Sequence, residues 1–554
     1  MGRPQTAAAF LLRTYGKRDG VWIMEKEEIR RQIEEGSCVI GIELGSTRIK
    51  AVLTGSDYRP AASGSFDWEN RYENGYWTYA EEEIISGLQA CFLDLKKSVM
   101  EKYGIVLRKA RSIGISAMMH GYLASDENDR LLVPFRTWRN TTTAEASAAL
   151  TKLFAYPVPE RWSVSHLYQA ILNREEHVSR IRHLNTLSSL IHYRLSGERV
   201  LGIGDASGMF PVSTETRTYD ASMADRFDQL INGMYPWKIR ELLPEVRTAG
   251  QSGGYLSEEG ALLLDPEGDL QSGIPMCPPE GDAGTGMTAT NSVKQKTGNV
   301  SAGTSVFSMV VLEQELKNVY PQIDLVMTPD GSLTAMVHCN NCTSDINAWV
   351  NIFDEVLKLS GVSVKRDELF RMLFLESQKG EQNCGGLLNY NFISAEPLAG
   401  VREGLPVFMR TAGSEFTLAG FMRAQIFSAF SVLKKGMDLL SQKENVRIEV
   451  IQAHGGIFRT PGVADRYLAA ALNTRISVPE TAGEGGPWGM ALLAAYMTDH
   501  DLPLPEWLQE KVFRDTHPAV IEPEEEEVKA FAEYMEKYEK GLPSIRKAAM
   551  DLND

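Results

Sequence analysis

The chain has 554 residues, 43% of them hydrophobic and 23% charged, and a formal charge of −16. Such a length exceeds one compact core and suggests about three or four domain-sized units of an ordinary globular protein. The acidic balance argues against a large nucleic-acid surface, six scattered cysteines are too few for a disulfide framework, and no run reaches the ~18–20 apolar residues of a membrane span.

The first twenty residues, MGRPQTAAAFLLRTYGKRDG, are acid-poor with a short apolar patch. That patch is shorter than a secretory core and no small-residue cleavage site follows, so a surface extension on a cytoplasmic protein is expected. MEKEEIRRQIEEG (24–36) predicts a helix closed by Gly36. Next comes CVIGIELGSTRIKAVL (38–53), two β-prone runs separated by Gly45, Ser46 and Thr47. A hairpin that holds phosphate needs closely spaced backbone N–H groups, a glycine for close approach and hydroxyls as further donors. These three residues supply all of that; Lys50, three residues on, is a candidate for the same site, with a solvated strand lysine as the alternative.

Residues 76–104 carry apolar residues at helical spacing. Residues 111–138 read as strand, loop, strand and turn, with Asp126, Asn128 and Asp129 in the turn. Within them, SAMMHG sets Met119 and His120 at a strand end beside a glycine, where a histidine could hydrogen-bond a polyol. A mostly helical stretch follows (151–200), and the alternation as a whole indicates an α/β protein.

Two aspartates sit in glycine-rich loops: Asp205 in GIGDASGMFPV and Asp282 in PPEGDAGTGMTAT. Small neighbours let a substrate approach, and phosphoryl transfer needs a carboxylate to orient or deprotonate the acceptor hydroxyl. By residue type the two are equal candidates, and either could be a turn aspartate bonded to its own backbone.

AGTSVFSMVV (302–311) repeats the plan of LGSTRIKAVL (44–53), so Gly303, Thr304 and Ser305 form a second candidate phosphate turn. HCNNC (338–342) lacks a second ligand pair at zinc-finger spacing, and no zinc site is expected. Two strand–glycine–helix junctions follow, at Gly455–Gly456 and at Gly485–Gly486, of the kind that brings backbone and a helix start close to a ligand. The tail, IEPEEEEVKAFAEYMEKYEKGL (521–542), predicts a solvated terminal helix with carboxylates opposing its dipole.

Taken in order from about residue 38 to 500, these segments resemble the FGGY carbohydrate kinases, and among them the xylulokinase-like and ribulokinase-type members. The resemblance implies two actin/hexokinase-like (ribonuclease H-like) α/β domains with an ATP and sugar cleft between them. The division it implies is 1–37 extension, 38–291 N-terminal domain, 292–510 C-terminal domain and 511–554 helical tail. It also implies roles: Asp282 as catalytic base; Met119, His120, Trp138, Arg139, Asn140 and Asp205 toward the sugar. Gly45, Ser46, Thr47, Lys50, Gly303, Thr304 and Ser305 would hold the ATP phosphates, and Gly455, Gly456, Gly485 and Gly486 the adenosine. Glu43 stands where the family has an aspartate that places Mg²⁺ through water. Trp138-Arg139-Asn140 replaces a Trp-Asn-Asp segment, exchanging an acid for a cation.

The implied function is ATP- and Mg²⁺-dependent phosphorylation of a primary hydroxyl of a ketopentose, D-xylulose or L-ribulose, giving the 5-phosphate. The partners implied are sugar and ATP, without nucleic acid or membrane, and a homodimer as the assembly. An actin-like ATPase or sugar sensor that phosphorylates no sugar is the alternative, since a fold does not fix a function.

Overall fold

The computed structural model describes residues 15–18, 21–24, 26–479 and 485–553, which fall into two compact units. The first comprises the chain up to Val293, Val326–Ser332 and a segment ending at Thr516; the second takes Lys294–Leu325, the chain from Leu333 to residue 483, and the C-terminal segment from His517. Within residues 292–510, both Val326–Ser332 and the helix Gly485–Thr498 group with the first unit.

The core of the first unit is a five-stranded sheet in the order Glu280–Gly281, Ser112–Ala117, Val39–Leu44, Arg48–Thr54, Pro60–Asp67. Val39–Leu44 pairs antiparallel with Arg48–Thr54 and parallel with Ser112–Ala117. Alternation gives this sheet two faces. Ile40, Ile42 and Leu44, all fully buried, join the core under the long helix Glu81–Tyr103. That helix packs closely because Gly64 has no side chain: a Cβ there would lie 2.3 Å from the backbone nitrogen of Leu95.

Gly41 and Glu43 lie on the other face, against the helix Gly485–Thr498. A Cβ at Gly41 would come within 2.1 Å of the Pro487 carbonyl oxygen, and one at Gly489 within 1.9 Å of the Thr285 carbonyl oxygen. The helix therefore lies flush against both the central strand and the helix Asp282–Ala289. It is apolar on all sides, as an interior helix must be, which is why it belongs to the first unit. The predicted helix before the hairpin is Lys26–Glu35, and Gly36 follows it at φ +75°.

The second unit repeats the motif. Its seven-stranded sheet runs Ile323–Met327, Leu333–Cys339, Val306–Val311, Thr297–Ala302, Val450–His454, Ile476–Ser477, Val520–Ile521. Here too a hairpin, Thr297–Ala302 with Val306–Val311, adds a parallel neighbour, Val450–His454, to its first strand. The almost fully buried helix Leu418–Asp438 covers it.

The terminal helix Glu525–Asn553 corrects the expectation of a solvated tail. Phe531, Tyr534 and Tyr538 are completely buried, with the Tyr538 ring stacked 4.5 Å from Tyr390 and Phe531 4.5 Å from Phe427. The acidic start conceals an apolar stripe at three- and four-residue spacing, which docks on the second unit. No helix among the described residues is long and apolar enough to cross a membrane.

Candidate active site

The first hairpin turns at Gly45, Ser46 and Thr47, closed by the Gly45 N–H donating to the Arg48 carbonyl at 3.1 Å. Its carbonyls are held from one side. Trp68 Nε1 donates to the Gly45 oxygen at 2.7 Å, the Tyr79 hydroxyl to the Ser46 oxygen at 2.5 Å, and the Trp68 N–H to the Thr47 oxygen at 3.2 Å. Trp68 and Tyr79 stack at 4.3 Å and brace one another. In a planar trans peptide the N–H lies opposite the C=O. Tying successive carbonyls to the aromatic side therefore turns the Ser46 and Thr47 N–H groups the other way, the arrangement of an anion-binding nest.

The second turn is braced by different chemistry. The Gly303 carbonyl accepts from the Thr343 N–H at 3.1 Å and its hydroxyl at 2.7 Å, and the Thr304 carbonyl accepts from the Cys342 N–H at 2.9 Å. The HCNNC segment thus supports the Gly303–Ser305 turn. All six cysteines are buried free thiols, and no cluster of metal-ligating side chains occurs among the described residues. Gly455 follows the strand Val450–His454 at φ +125°; a Cβ there would fall 1.9 Å from the Ala302 carbonyl oxygen, at the foot of the turn. Gly456 opens the short helix Gly456–Arg459.

In the first unit, Asp282 is the first residue of the helix Asp282–Ala289, directly after the edge strand Glu280–Gly281. Its Oδ1 accepts from the Met119 N–H at 3.2 Å. The side chain is half-buried, and enclosure by protein pushes its carboxyl up to about 6, opposed by backbone hydrogen bonds. The remaining exposure gives a hydroxyl access to a carboxylate that still ionises near neutral pH. Met119 itself fits over Gly281, where a Cβ would lie 2.1 Å from its Cγ.

Glu43 is also pushed up, to about 7, by burial and then by the charge of Asp282, while Lys50 opposes the shift. Lys50 is its cross-strand partner, so the two share a face. Gly485 has φ +67°, and a Cβ at Gly486 would come within 2.6 Å of both Glu43 carboxylate oxygens. The second glycine junction thus meets the acid of the first hairpin.

Asp205 is fully buried in the short helix Ile203–Ala206. Its Oδ2 accepts from the hydroxyls of Thr186 at 2.7 Å and Ser188 at 2.5 Å, whereas its buried Oδ1 has no hydrogen-bond partner among the described residues. Burial, and secondarily the charge of Asp282, push it up to about 7. His120 adopts φ +69° and sets Nδ1 3.2 Å from the Gly208 carbonyl oxygen, linking the strand end to the Asp205 segment.

The Trp138-Arg139-Asn140 segment divides its tasks. Trp138 Nε1 donates to Ser46 Oγ at 3.0 Å, which ties the segment to the first phosphate turn. Arg139 lies 4.0 Å over the Trp77 ring and donates to Asn70 at 2.8 Å. Asn140 is buried: its oxygen accepts from the Trp77 N–H at 2.8 Å, and its amide donates to the carbonyls of Trp77 and Thr137, both at 2.9 Å. Residues that the sequence reading passed over include Trp68, Tyr79, Thr343 and, above all, Glu280, two positions before Asp282. Only the last had a signal, an acid inside a glycine-rich loop.

The N-terminal domain model of the FGGY family of carbohydrate kinases matches residues 38–283, and the C-terminal domain model matches 298–498. The chain is 21% identical over 422 residues to the xylulose kinase of Haemophilus influenzae, covering 73% of this chain and 80% of that one. Its fold is similar to a ligand-bound xylulose kinase from Lactobacillus acidophilus (TM-score 0.76, 15% identity, 93% of this chain and 100% of that one). A gluconate kinase from the same organism is similar to the same degree (TM-score 0.76, 16% identity, 93% and 99%). The chain belongs to the FGGY family and is an ATP-dependent sugar kinase.

Proposed function

We propose that this FGGY kinase transfers the γ-phosphate of ATP to a primary hydroxyl of a ketopentose, D-xylulose or L-ribulose, giving the 5-phosphate. The observation that carries the reading is Asp282: a half-buried carboxylate at a helix start, oriented by the Met119 N–H and reachable from solvent. It accepts the proton as the sugar oxygen attacks phosphorus; the new O–P bond forms as the bond to the β-phosphate oxygen breaks and ADP leaves. The Gly45–Thr47 turn with Lys50, and the Gly303–Ser305 turn, hold phosphate through N–H and hydroxyl donors. Gly455 and Gly456, together with Gly485 and Gly486, serve the adenosine side. Met119, His120, Trp138 and Arg139 face the sugar, with Asp205 buried behind them and Asn140 holding backbone in place.

Glu43 suits Mg²⁺: the ion commonly keeps several waters and needs only one or two carboxylates beside phosphate oxygens. An enclosed acid that belongs to no cluster of three or more ligating side chains among the described residues fits that requirement. When bound, the ion would neutralise charge on the phosphates. The test is ADP release by Asp282→Asn and wild type across ketopentoses, polyols, aldoses and gluconate. Sugar-dependent turnover should vanish in the variant while ATP binding persists, and unchanged turnover would sink the assignment. Turnover stimulated only by gluconate, an anion suited to the Arg139 guanidinium, would replace the ketopentose with a sugar acid.

A further inference from the structure

Two residues before the proposed base lies a second acid, Glu280, 2% exposed and enclosed by backbone. Its Oε1 accepts from the Gly204 N–H at 3.0 Å, and its Oε2 from the N–H groups of Asp205 at 3.0 Å and Gly281 at 3.1 Å. The sequence around it is shaped to admit that carboxylate. A Cβ at Gly202 would lie 2.3 Å from Oε1, and one at Gly204 2.6 Å from Oε2. The Gly202 N–H also donates to the Pro279 carbonyl at 2.7 Å. The segment carrying Asp205 is thus fastened to the strand that ends at Gly281, just before Asp282, and Glu280 is the fastening.

The consequence reaches Asp205. With its backbone held by Glu280 and its Oδ2 held by Thr186 and Ser188, Asp205 has its Oδ1 directed to within 3.4 Å of where a Gly281 Cβ would lie. That oxygen is buried and has no hydrogen-bond partner among the described residues, beside the residue that separates Glu280 from Asp282. Asp205 therefore neighbours both Glu280 and Asp282.

We propose that Glu280 is a positioning residue for phosphoryl transfer, holding Asp205 beside Asp282 and thereby setting the charge that the base experiences. The inference rests on Asp282 being that base. Burial first, then the charge of Asp205, pushes Glu280 up to about 8; burial first, then the charge of Asp282, pushes Asp205 up to about 7. Among the described residues, Tyr219 beside Asp205 and Cys277 beside Glu280 also face the pair, both kept protonated by burial, and Glu43 faces Asp282. Glu280 therefore stays protonated where Asp205 and Asp282 titrate, and it acts by fastening the Asp205 backbone. Without that fastening Asp205 draws away, and a weaker charge beside Asp282 makes the base easier to ionise.

The test is the pH profile of kcat in Glu280→Gln and Asp205→Asn, with Asp282→Asn run beside them. Glu280→Gln should lower kcat at least tenfold, leave KM for ATP within twofold, and move the acid limb of the profile to lower pH. Asp205→Asn removes the charge itself and should move that limb to lower pH, so the inference is tested even if Glu280→Gln does not fold. A Glu280→Gln limb that stays put or moves up overturns the proposal, as does a lowered kcat with an unmoved limb, the sign of lost active fraction alone. An Asp205→Asn limb that stays put or moves up overturns it too. If Asp282→Asn keeps its turnover, the failure belongs to the assignment of the base and not to Glu280.

Discussion

Glu43 and Gly486 occupy adjoining space so closely that a methyl group at 486 would lie 2.6 Å from both oxygens of the Glu43 carboxylate. The contact joins the acid of the first hairpin to the first turn of the helix Gly485–Thr498. It also accounts for the longer side chain: the extra methylene of glutamate is accommodated because position 486 has no Cβ.

Gly486→Ala should therefore act through Glu43. The obstructing atoms are the far end of a flexible side chain, so the fold should lose no more than about 1 kcal/mol. The carboxylate must swing to a poorer rotamer and leave its place at the proposed metal position. We expect turnover at limiting Mg²⁺ to fall about tenfold or more, roughly 1.4 kcal/mol of transition-state stabilisation, with much of the loss recovered at high Mg²⁺. A Mg²⁺ titration of ADP release decides the matter; an unchanged titration curve would mean that Glu43 does not act on the metal.

Stability should depend on pH through the same group of acids. Asp282, Glu43, Asp205 and Glu280 titrate at about 6, 7, 7 and 8 in the folded chain, against 3.8 for Asp and 4.5 for Glu as ordinary values. Between the two sets of values the native state binds more protons than the unfolded state, so their contribution to stability falls as pH rises. Buried His166, His177 and His192, held low by desolvation, push the opposite way below pH ~6.5, which leaves pH 7 to 8 as the clean window. The thermal midpoint should drop by about 1–3 °C from pH 7 to pH 8. Asp205→Asn should flatten that slope, and a midpoint that rises across the window would show that these acids are not held protonated.

The hairpins were legible in the sequence because local chemistry makes them: apolar alternation broken by Gly-Ser-Thr or Gly-Thr-Ser leaves few other conformations. Asp282 was legible as an acid among glycines, yet by residue type it could not be told from Asp205. What separates them is tertiary: Asp282 starts a helix with access to solvent, whereas Asp205 is sealed behind Thr186 and Ser188. Glu280 was illegible as a fastening because its partners at Gly204 and Asp205 lie 76 and 75 residues away. The same holds for Trp68, whose task follows from where the Gly45 carbonyl happens to point. The terminal helix was misread for a different reason, since its acidic start outweighed an apolar stripe whose partners lie in distant segments.

Asn140 gives the sharpest separation between contact with substrate and support of the site. The resemblance placed it toward the sugar, but its side chain is 3% exposed and its amide is occupied by Trp77 and Thr137. Truncation would leave the Trp77 N–H and two carbonyls without these partners, at a cost of about 1–3 kcal/mol for a buried unsatisfied group. Trp77 in turn carries Arg139, stacked 4.0 Å above its ring, so loosening Trp77 should loosen the guanidinium. Asn140→Ala is therefore expected to lower the thermal midpoint by several degrees. Arg139→Ala should raise KM for the sugar at an almost unchanged midpoint, because Arg139 is exposed and its loss uncovers no buried group. Measured together by thermal denaturation and sugar titration, the two variants should separate along these two axes. If Asn140→Ala instead changed KM alone, the asparagine would be a direct sugar ligand and its amide network incidental.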